Sequence, residues 1–374
     1  MIELNVIKKD GTKEPFNAEK ILIAVKKSAE RAMYKLTADD NLKILDFVED
    51  SIKSKSEIPI NEMHFIVENA LDTINSKVAK AYREYRNYKI DFVNILDKVY
   101  QQSQKLKYIG DVSNANTDST LIATQRSLTY GQLNKELYKK FFLNTEERQA
   151  IRDGYIYIHD MKDRLDGINC CLADVGNILK GGFECGNMWY TEPNSLDVAF
   201  DVISDIAMSM AAQQYGGYTI PEIDKILLPY ARKSYHNYIR EFYSITTFTE
   251  NDKVELEQRA DAYATQKVYR DFEQGFQSWE YRFNTVGSSR GDYPFIAITF
   301  GIGTSKFERM ATETILKVRM KGQGKIGFKK PVLFPKLTFL YDENLHGKDK
   351  ELEYLFDIAI DCSSKCMYPK KVGA

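Results

Sequence analysis

The chain has 374 residues, a hydrophobic fraction of 43% and a formal net charge of −1. At about 150 residues per domain, this length predicts two or three domains. The near-neutral charge argues against a nucleic-acid surface along the whole chain, and no apolar run reaches the roughly 18 residues that a membrane helix needs.

The N-terminal sequence and the cysteine content favour a cytoplasmic protein. The opening Met1-Ile2-Glu3-Leu4-Asn5 lacks the basic-then-apolar pattern of a secretory signal. The chain has five cysteines, an odd number, and their spacing is not that of a disulfide framework. This is typical of a protein from a reducing compartment. We therefore expect a soluble cytoplasmic protein with no membrane partner and no direct nucleic-acid partner.

The first residues predict a small α+β unit. A short strand around Val6-Ile7 leads through a tight Asp10-Gly11 turn to a second strand, and Asn17 is placed to cap a helix. Four lysines crowd this unit, namely Lys8, Lys9, Lys13 and Lys20. Together with a helix N-terminus, they fit a di- or triphosphate site. An ordinary solvated hairpin with lysines on its rim explains the same pattern equally well.

Two further helices complete the first unit in this interpretation. Ile21, Val25 and Ala29 recur at helical spacing on the first helix. A stronger apolar stripe predicts the second helix and comprises Met63, Ile66, Val67, Ala70, Leu71 and Ile74. The third helix is charged and runs from about Ser76 toward Tyr100.

The rest of the chain predicts helices alternating with buried strands, and hence an α/β fold. Asn144 and Glu147 have the spacing of a capping box, and Gly154 marks a helix end. The predicted strands are Tyr155 to His159, Pro294 to Gly301 and Val332 to Tyr341. The apolar faces of two more helices comprise Ile203, Ile206, Ala207, Met210 and Ala211, and then Phe307, Met310, Ala311, Thr314, Ile315 and Val318.

Four of the cysteines form two close pairs with no evident metal-site pattern. Cys170 and Cys171 are adjacent, so their side chains diverge, and Cys362 and Cys366 lie one helical turn apart. The chain has no Cys-x-x-Cys, so we expect no metal site. Core packing explains any of these cysteines taken alone.

The first quarter of the chain resembles the ATP-cone, a regulatory nucleotide domain found at the front of many ribonucleotide reductases. The residues that carry the resemblance are Val6-Ile7-Lys8-Lys9-Asp10-Gly11, Glu14, Phe16-Asn17, Lys20-Ile21, Ile60-Asn61-Glu62-Met63-His64 and Ala81-Tyr82-Arg83-Glu84-Tyr85-Arg86. The resemblance implies ATP and dATP as allosteric effectors and a domain over residues 1–95. It implies nucleotide-binding roles for Val6, Lys8, Lys9, Glu14, Asn17, Lys20, Ile21 and His64.

Residues 96–374 resemble the front part of the anaerobic, glycyl-radical (class III) ribonucleoside-triphosphate reductases. The motifs, in order, are Asn114-Ala115-Asn116-x-Asp118-Ser119, Thr124-Gln125-Arg126, His159-Asp160, Asn169-Cys170, Tyr215-Gly216-Gly217, Gly301-x-Gly303-Thr304-Ser305, Phe334-Pro335-Lys336-Leu337 and Cys362-x-Ser364-Lys365-x-Met367-Tyr368-Pro369. Each fragment is weak alone, but their common order is specific.

The resemblance implies a ten-stranded α/β barrel that converts ribonucleoside triphosphates to deoxyribonucleotides with formate as reductant. It also implies a homodimer, a glycyl radical installed by a radical S-adenosylmethionine activase, and a zinc site. Cys170 matches the cysteine that faces the substrate and assists reduction, through its Asn-Cys context. Cys171 matches no such role, and we expect it to serve packing.

The end of the chain departs from the family pattern. Lys370 stands where the family has Asp, Gly373 lacks the motif of a radical glycine, and the thiyl cysteine and zinc ligands are not found. We therefore expect an incomplete barrel that is inactive alone and requires a second polypeptide. The alternative is a non-catalytic ATP/dATP-binding protein. The ATP-cone repressors are disfavoured because no zinc ribbon is found and the resemblance extends far beyond the cone.

Overall fold

The computed structural model describes residues 4–9, 11–108, 118–165, 167–247, 253–288 and 291–373. The chain divides into two compact units, Met1–Tyr100 and Gln101–Ala374. Among the helices in these described ranges, none is long and apolar enough to cross a membrane.

The first unit is a three-stranded sheet with helices. Its order is β2-β1-β3, with β1 antiparallel to β2 and parallel to β3. The elements are β1 (Asn5–Ile7), β2 (Lys13–Pro15), α1 (Ala18–Arg31), α2 (Ala38–Ile52), β3 (Glu57–Pro59), α3 (Ile60–Ile74) and α4 (Ser76–Tyr108), whose last turns belong to the second unit.

Local signals that were read from the sequence recur in this unit. Gly11 has a φ of +84° and closes the β1–β2 turn, with its N–H donating to the carbonyl of Lys8 at 3.0 Å. Asp10 lies outside the described residues. The Asn17 side chain accepts from the backbone N–H of Glu19 and caps α1. Ile21, Val25 and Ala29 are buried in one core with α2 and α3.

The sequence interpretation missed one helix of this unit. The Met63 stripe is on α3, the third helix, because α2 precedes it. Thr37 and Asp40 form a capping box at the start of α2. In this helix, Ile44, Val48 and Ile52 are fully buried at four-residue spacing. A recurrence every fourth residue places these three on one face, which packs into the core.

The second unit is built around a five-stranded sheet. Its elements are α5 (Ile122–Phe141), α6 (Thr145–Arg152), β4 (Cys171–Leu172), α7 (Val175–Leu179), β5 (Phe183–Cys185), β6 (Met188–Tyr190), α8 (Leu196–Gln213), β7 (Tyr218–Ile220), α9 (Ile223–Ile245), α10 (Lys253–Thr285), β8 (Ile296–Phe300), α11 (Lys306–Lys321), β9 (Lys336–Tyr341), α12 (Glu343–His346), α13 (Glu353–Cys366) and β10 (Lys370–Gly373). Strands β5 and β6 form a separate hairpin.

All neighbours in the five-stranded sheet are parallel, in the order β10-β9-β8-β7-β4. Helices α8 to α11 and α13 share one core with it. Along β8, Ile296, Ile298 and Phe300 are fully buried, whereas Ala297 and Thr299 are half-buried. One face of the sheet is therefore covered by helices within the described residues.

The opposite face carries the alternate residues of each strand, whose side chains point away from the helices. We call it the open face. Its side chains are exposed or half-buried, and they belong to Cys170, Leu172, Thr219, Ala297, Thr299, Lys336, Thr338, Leu340, Lys370 and Val372. Parallel sheets are ordinarily covered on both faces. The sequence predicted buried strands, and the covered face alone bears this out.

One further prediction needs correction, one strand was not predicted, and two predictions are confirmed. Tyr155 to His159 forms a turn and an extended segment rather than a strand. Tyr155 and Tyr157 are each 84% exposed, and no described strand pairs with this segment. Strand β10, which pairs with β9, is not among the predicted strands. The capping box of Asn144 and Glu147 is confirmed at the start of α6. The α/β class, preceded by a small α+β unit, is also confirmed.

Candidate functional site

The first unit brings three of the predicted nucleotide-binding residues into direct contact. Glu14 on β2 forms an ion pair with Lys8 at 2.7 Å and another with Lys20 on the first turn of α1. These three side chains lie beside the N-terminus of α1, where the helix dipole favours an anion. All three are one-third exposed or more, so they are accessible to a ligand.

A second group of cations surrounds His64 on α3. The His64 Nδ1 atom lies 2.8 Å from the hydroxyl of Tyr82 on α4. Burial lowers the pKa of His64, and the field of nearby cations lowers it further; in decreasing order these are Arg86, Lys9, Lys89 and Lys8. Lys8 and Lys9 therefore belong to the same basic cluster as two side chains of α4.

The predicted residues of the first unit thus lie around one basic region, with Val6 and Ile21 buried beneath it. Sequence reasoning missed Arg86 and Lys89. Arg86 also pairs with the buried Glu68 at 2.8 Å and lies over the Phe65 ring. The sequence interpretation describes the helix that carries them only as charged. The tertiary packing of α4 against α3 is what directs them toward His64.

In the second unit, Cys170 lies on the open face at the start of β4. Its thiol is exposed and donates to the Asn169 side-chain oxygen at 3.3 Å. Gly216 donates its N–H to the Asn169 carbonyl at 3.0 Å, and the N–H of Cys171 donates to Gly217. A Cβ at Gly216 would lie 2.7 Å from the Cys170 sulfur, so the glycine is what permits this approach.

Several separate sequence motifs meet at this edge, because the starts of parallel strands lie side by side. Gly217 contacts Phe295, which precedes β8, and the Phe295 carbonyl accepts from the N–H of Tyr218. The Lys336 ammonium at the start of β9 lies 3.8 Å from the centroid of the Phe295 ring. The Asn-Cys, Tyr-Gly-Gly and Phe-Pro-Lys motifs are therefore neighbours in space.

The Gly301-x-Gly303 motif lies at the opposite edge, where the strands end. The buried Asp224 carboxylate accepts from the N–H groups of Gly301 and Gly303 at 3.0 and 3.1 Å. Burial raises the pKa of Asp224, while these backbone donors act to lower it. His346 contacts the Gly301 carbonyl from the other side at 2.9 Å. This motif holds a loop and is remote from Cys170 along the strands.

Three of the other cysteines have packing environments. Cys171 faces the core, with the Gln214 amide 3.0 Å from its sulfur. Cys362 is fully buried on α13, and burial raises the pKa of its thiol to about 12. Cys366 lies one turn further on, and burial also raises its pKa. Among the described residues, no group of three or more His, Cys, Asp or Glu side chains could hold a metal ion.

Three further motif fragments are not part of this edge. His159 and Asp160 contact each other on a surface turn, with 78% of the His159 side chain exposed. Thr124 is buried and donates to the Gly291 carbonyl at 2.9 Å. Asn114-Ala115-Asn116 lies outside the described residues.

The comparisons with known proteins agree with these motifs. Residues 4–90 match the family model described as "ATP cone domain". Residues 113–372 match the model described as "Anaerobic ribonucleoside-triphosphate reductase". The second match covers well over half of the chain. The chain belongs to the anaerobic ribonucleoside-triphosphate reductase family.

Named members of this family in two organisms illustrate the similarity. The Escherichia coli K12 anaerobic ribonucleoside-triphosphate reductase is 32% identical over 375 residues, which cover 98% of this chain and 51% of that protein. The Enterobacteria phage T4 reductase is 37% identical over 267 residues, or 70% of this chain and 42% of that protein. The chain thus spans about half the length of these relatives.

Among solved structures, the anaerobic ribonucleotide reductase from Thermotoga maritima with citrate in the active site aligns with a TM-score of 0.46 at 14% identity. That alignment covers 77% of this chain and 54% of the other.

The close approach at Gly216 generates a prediction. Gly216→Ala would place a Cβ 2.5 Å from the Asn169 carbonyl oxygen, so the strand start must shift. We expect a loss of about 1–3 kcal/mol in local stability, typical of overpacking. Hydrogen exchange of peptides over residues 168–173 measures it. The matched control is Gly176→Ala in α7, where the nearest atom is at 3.4 Å. Equal exchange in both variants would contradict the packing argument.

The environment of His64 generates a second prediction. Its folded-state pKa is lowered below the ordinary value of about 6.5, so the unfolded chain takes up a proton first as pH falls. The stability of the first unit should therefore decline as pH drops below about 6.5. His64→Gln should reduce this decline, and the exposed His236→Gln should not. Hydrogen exchange of the peptide around Val67 between pH 7 and 5 measures the opening free energy. Identical slopes in wild type and His64→Gln would refute the assignment.

Proposed function

We propose that this chain provides the nucleotide-sensing unit and part of the catalytic unit of an anaerobic ribonucleoside-triphosphate reductase. The observation that carries the proposal is the exposed Cys170 thiol on the open face, at the strand edge where separate motifs converge. The reaction takes a ribonucleoside triphosphate, formate and a proton to a deoxyribonucleoside triphosphate, carbon dioxide and water. Effector nucleotides at the first unit regulate it.

Cys170 is the residue of this chain that acts on the substrate. Its proton is held by the hydrogen bond to the Asn169 side chain, so Asn169 fixes the direction of the thiol across the open face. On the strands next to β4, Thr219, Ala297 and Thr299 present small side chains to the same face. The thiol assists reduction of the sugar after the ribose has been activated.

The reductase chemistry also needs groups other than Cys170. The family requires a glycyl radical, a thiyl cysteine and a zinc site. The described residues provide no fitting metal cluster, so no step is assigned through one. A radical S-adenosylmethionine activase, the remaining catalytic segments of the family and a homodimeric assembly in the cytoplasm belong to this proposal.

In the first unit, over residues 1–95, we propose that Lys8, Lys9 and Lys20 bind the phosphates of ATP or dATP. Val6, Glu14, Asn17 and Ile21 surround the nucleoside, and His64 lies beside them. The structure adds Arg86 and Lys89, whose charges reach His64. A polyanionic ligand is the partner that such a cluster of cations favours, because charge-assisted hydrogen bonds contribute about 1.5–3 kcal/mol each.

Removing two of these cations tests the nucleotide site. Lys9→Ala combined with Lys20→Ala should weaken ATP and dATP binding at least about tenfold, or about 1.4 kcal/mol. Isothermal titration calorimetry on the full chain measures the affinities. Lys27→Ala with Lys77→Ala, at two exposed positions, makes the same charge change and should leave affinity nearly unchanged. Equal affinity in wild type and the Lys9/Lys20 variant would contradict the assignment.

A complementation assay tests the reductase proposal. The chain is combined with a polypeptide carrying the rest of a relative's catalytic domain, the activase, S-adenosylmethionine, formate and a ribonucleoside triphosphate. Deoxynucleotide formation should require both polypeptides and should be lost in Cys170→Ser, because a hydroxyl cannot replace the redox chemistry of the thiol. Cys171→Ser is the matched control and should retain activity. Turnover by the lone chain, or by Cys170→Ser, would overturn the proposal, and nucleotide binding without turnover would favour a non-catalytic sensor.

A further inference from the structure

Two lysines on the open face have no role in the function described so far. Lys336 is the first residue of β9 and lies opposite Ala297. Lys370 is the first residue of β10 and lies opposite Thr338. Because Lys336 and Thr338 are two residues apart on one strand, their side chains point to the same face. Lys336 and Lys370 are therefore diagonal neighbours on adjacent strands.

Lys336 is held near the strand starts by an aromatic ring. Its ammonium group lies over Phe295 at 3.8 Å, a cation–π distance, and the side chain is half-buried. Phe295 in turn contacts Gly217, and the neighbouring Gly216 contacts the Cys170 thiol. An unbroken series of contacts along the strand starts thus connects Lys336 with Cys170.

The charge of Lys336 is not compensated by any carboxylate in the described residues. Desolvation lowers the pKa of its ammonium, and the one charged group that shifts it further is another cation, Lys370. Two like charges at a partly desolvated site are unfavourable until a counter-charge arrives. A lysine in a structural ion pair would show the opposite effect, with its pKa raised by a carboxylate.

We propose that Lys336 and Lys370 form an oxyanion subsite on the open face, which takes a phosphate group or a small carboxylate. Cys170 lies on the same face, with β7 and β8 between its strand and that of Lys336. This inference deepens the proposed function and rests on it for the identity of the anion. Ammonium groups act as compact point charges on flexible stems, so they accept either oxyanion without the planar match that an arginine imposes. A substrate phosphate and a carboxylate reductant are the two sources of that chemistry.

Residue-resolved acylation of lysines tests the subsite on the full chain. Acetic anhydride modifies neutral amines, and mass spectrometry reads each lysine separately. Inorganic pyrophosphate or sodium formate should slow acylation of Lys336 by about threefold when the anion concentration is about twice its Kd. Sodium chloride at equal ionic strength should not. Lys329 is exposed in the loop before β9 and serves as the internal reference.

Substitutions separate a subsite from a general salt effect. Lys370→Met should diminish the protection of Lys336, and Lys329→Met should leave it intact. Protection by pyrophosphate alone identifies a phosphate subsite, and protection by formate alone identifies a carboxylate subsite. Equal acylation rates of Lys336 in all three salts, or full protection in Lys370→Met, would overturn the proposal. Because labelling needs no turnover, this outcome is distinct from a failure of the reductase assay.

Discussion

The alternation of side chains along five parallel strands is the constraint on which the second unit depends. Helices cover one face of the sheet, so the register of each strand decides which residues enter the core and which reach the open face. A slip of one residue in β4 would exchange Cys170 for Cys171. The hydrogen bonds from Gly216 to Asn169 and from Cys171 to Gly217 fix that register, and the absence of a Cβ at Gly216 permits the strands to approach. Two adjacent cysteines thereby acquire opposite environments.

A buried polar cluster on the covered side holds the start of β9 in place. Arg319 on α11 pairs with Glu280 on α10 at 2.6 Å and donates to the Pro335 carbonyl at 2.7 Å. Asn284 exchanges hydrogen bonds with both backbone groups of Phe334. Loss of one partner from such a buried pair leaves an uncompensated charge and costs about 3–5 kcal/mol. The position of Lys336 on the open face therefore depends on groups that face the opposite way.

Features with local causes could be predicted from the sequence. The Asn17 cap, the Asn144 and Glu147 box and the apolar faces of α1, α3, α8 and α11 depend on residues within a few positions of one another. The failures have tertiary causes. Tyr155 to His159 has strand-forming residues but finds no partner strand in the described part of the chain, and β10 becomes a strand because it pairs with the edge of β9. The stripe of α2 was overlooked because acidic residues separate its apolar positions. In the candidate site, the residue types around Glu14 and Cys170 were foreseen from family motifs, whereas Arg86, Lys89 and the placement of Lys336 beside Phe295 require the packed structure.

The central claim is that strand register presents Cys170 rather than Cys171 to the open face, and thiol alkylation tests it most directly. Iodoacetamide rates for all five cysteines in the native chain can be read by mass spectrometry. We predict that Cys170 reacts fastest, because its thiol is exposed. Cys171 should react more slowly because it packs against the core. Cys362 should react slowest, because it is fully buried and burial raises its pKa to about 12. Alkylation of Cys171 or Cys362 at the rate of Cys170 would contradict the account.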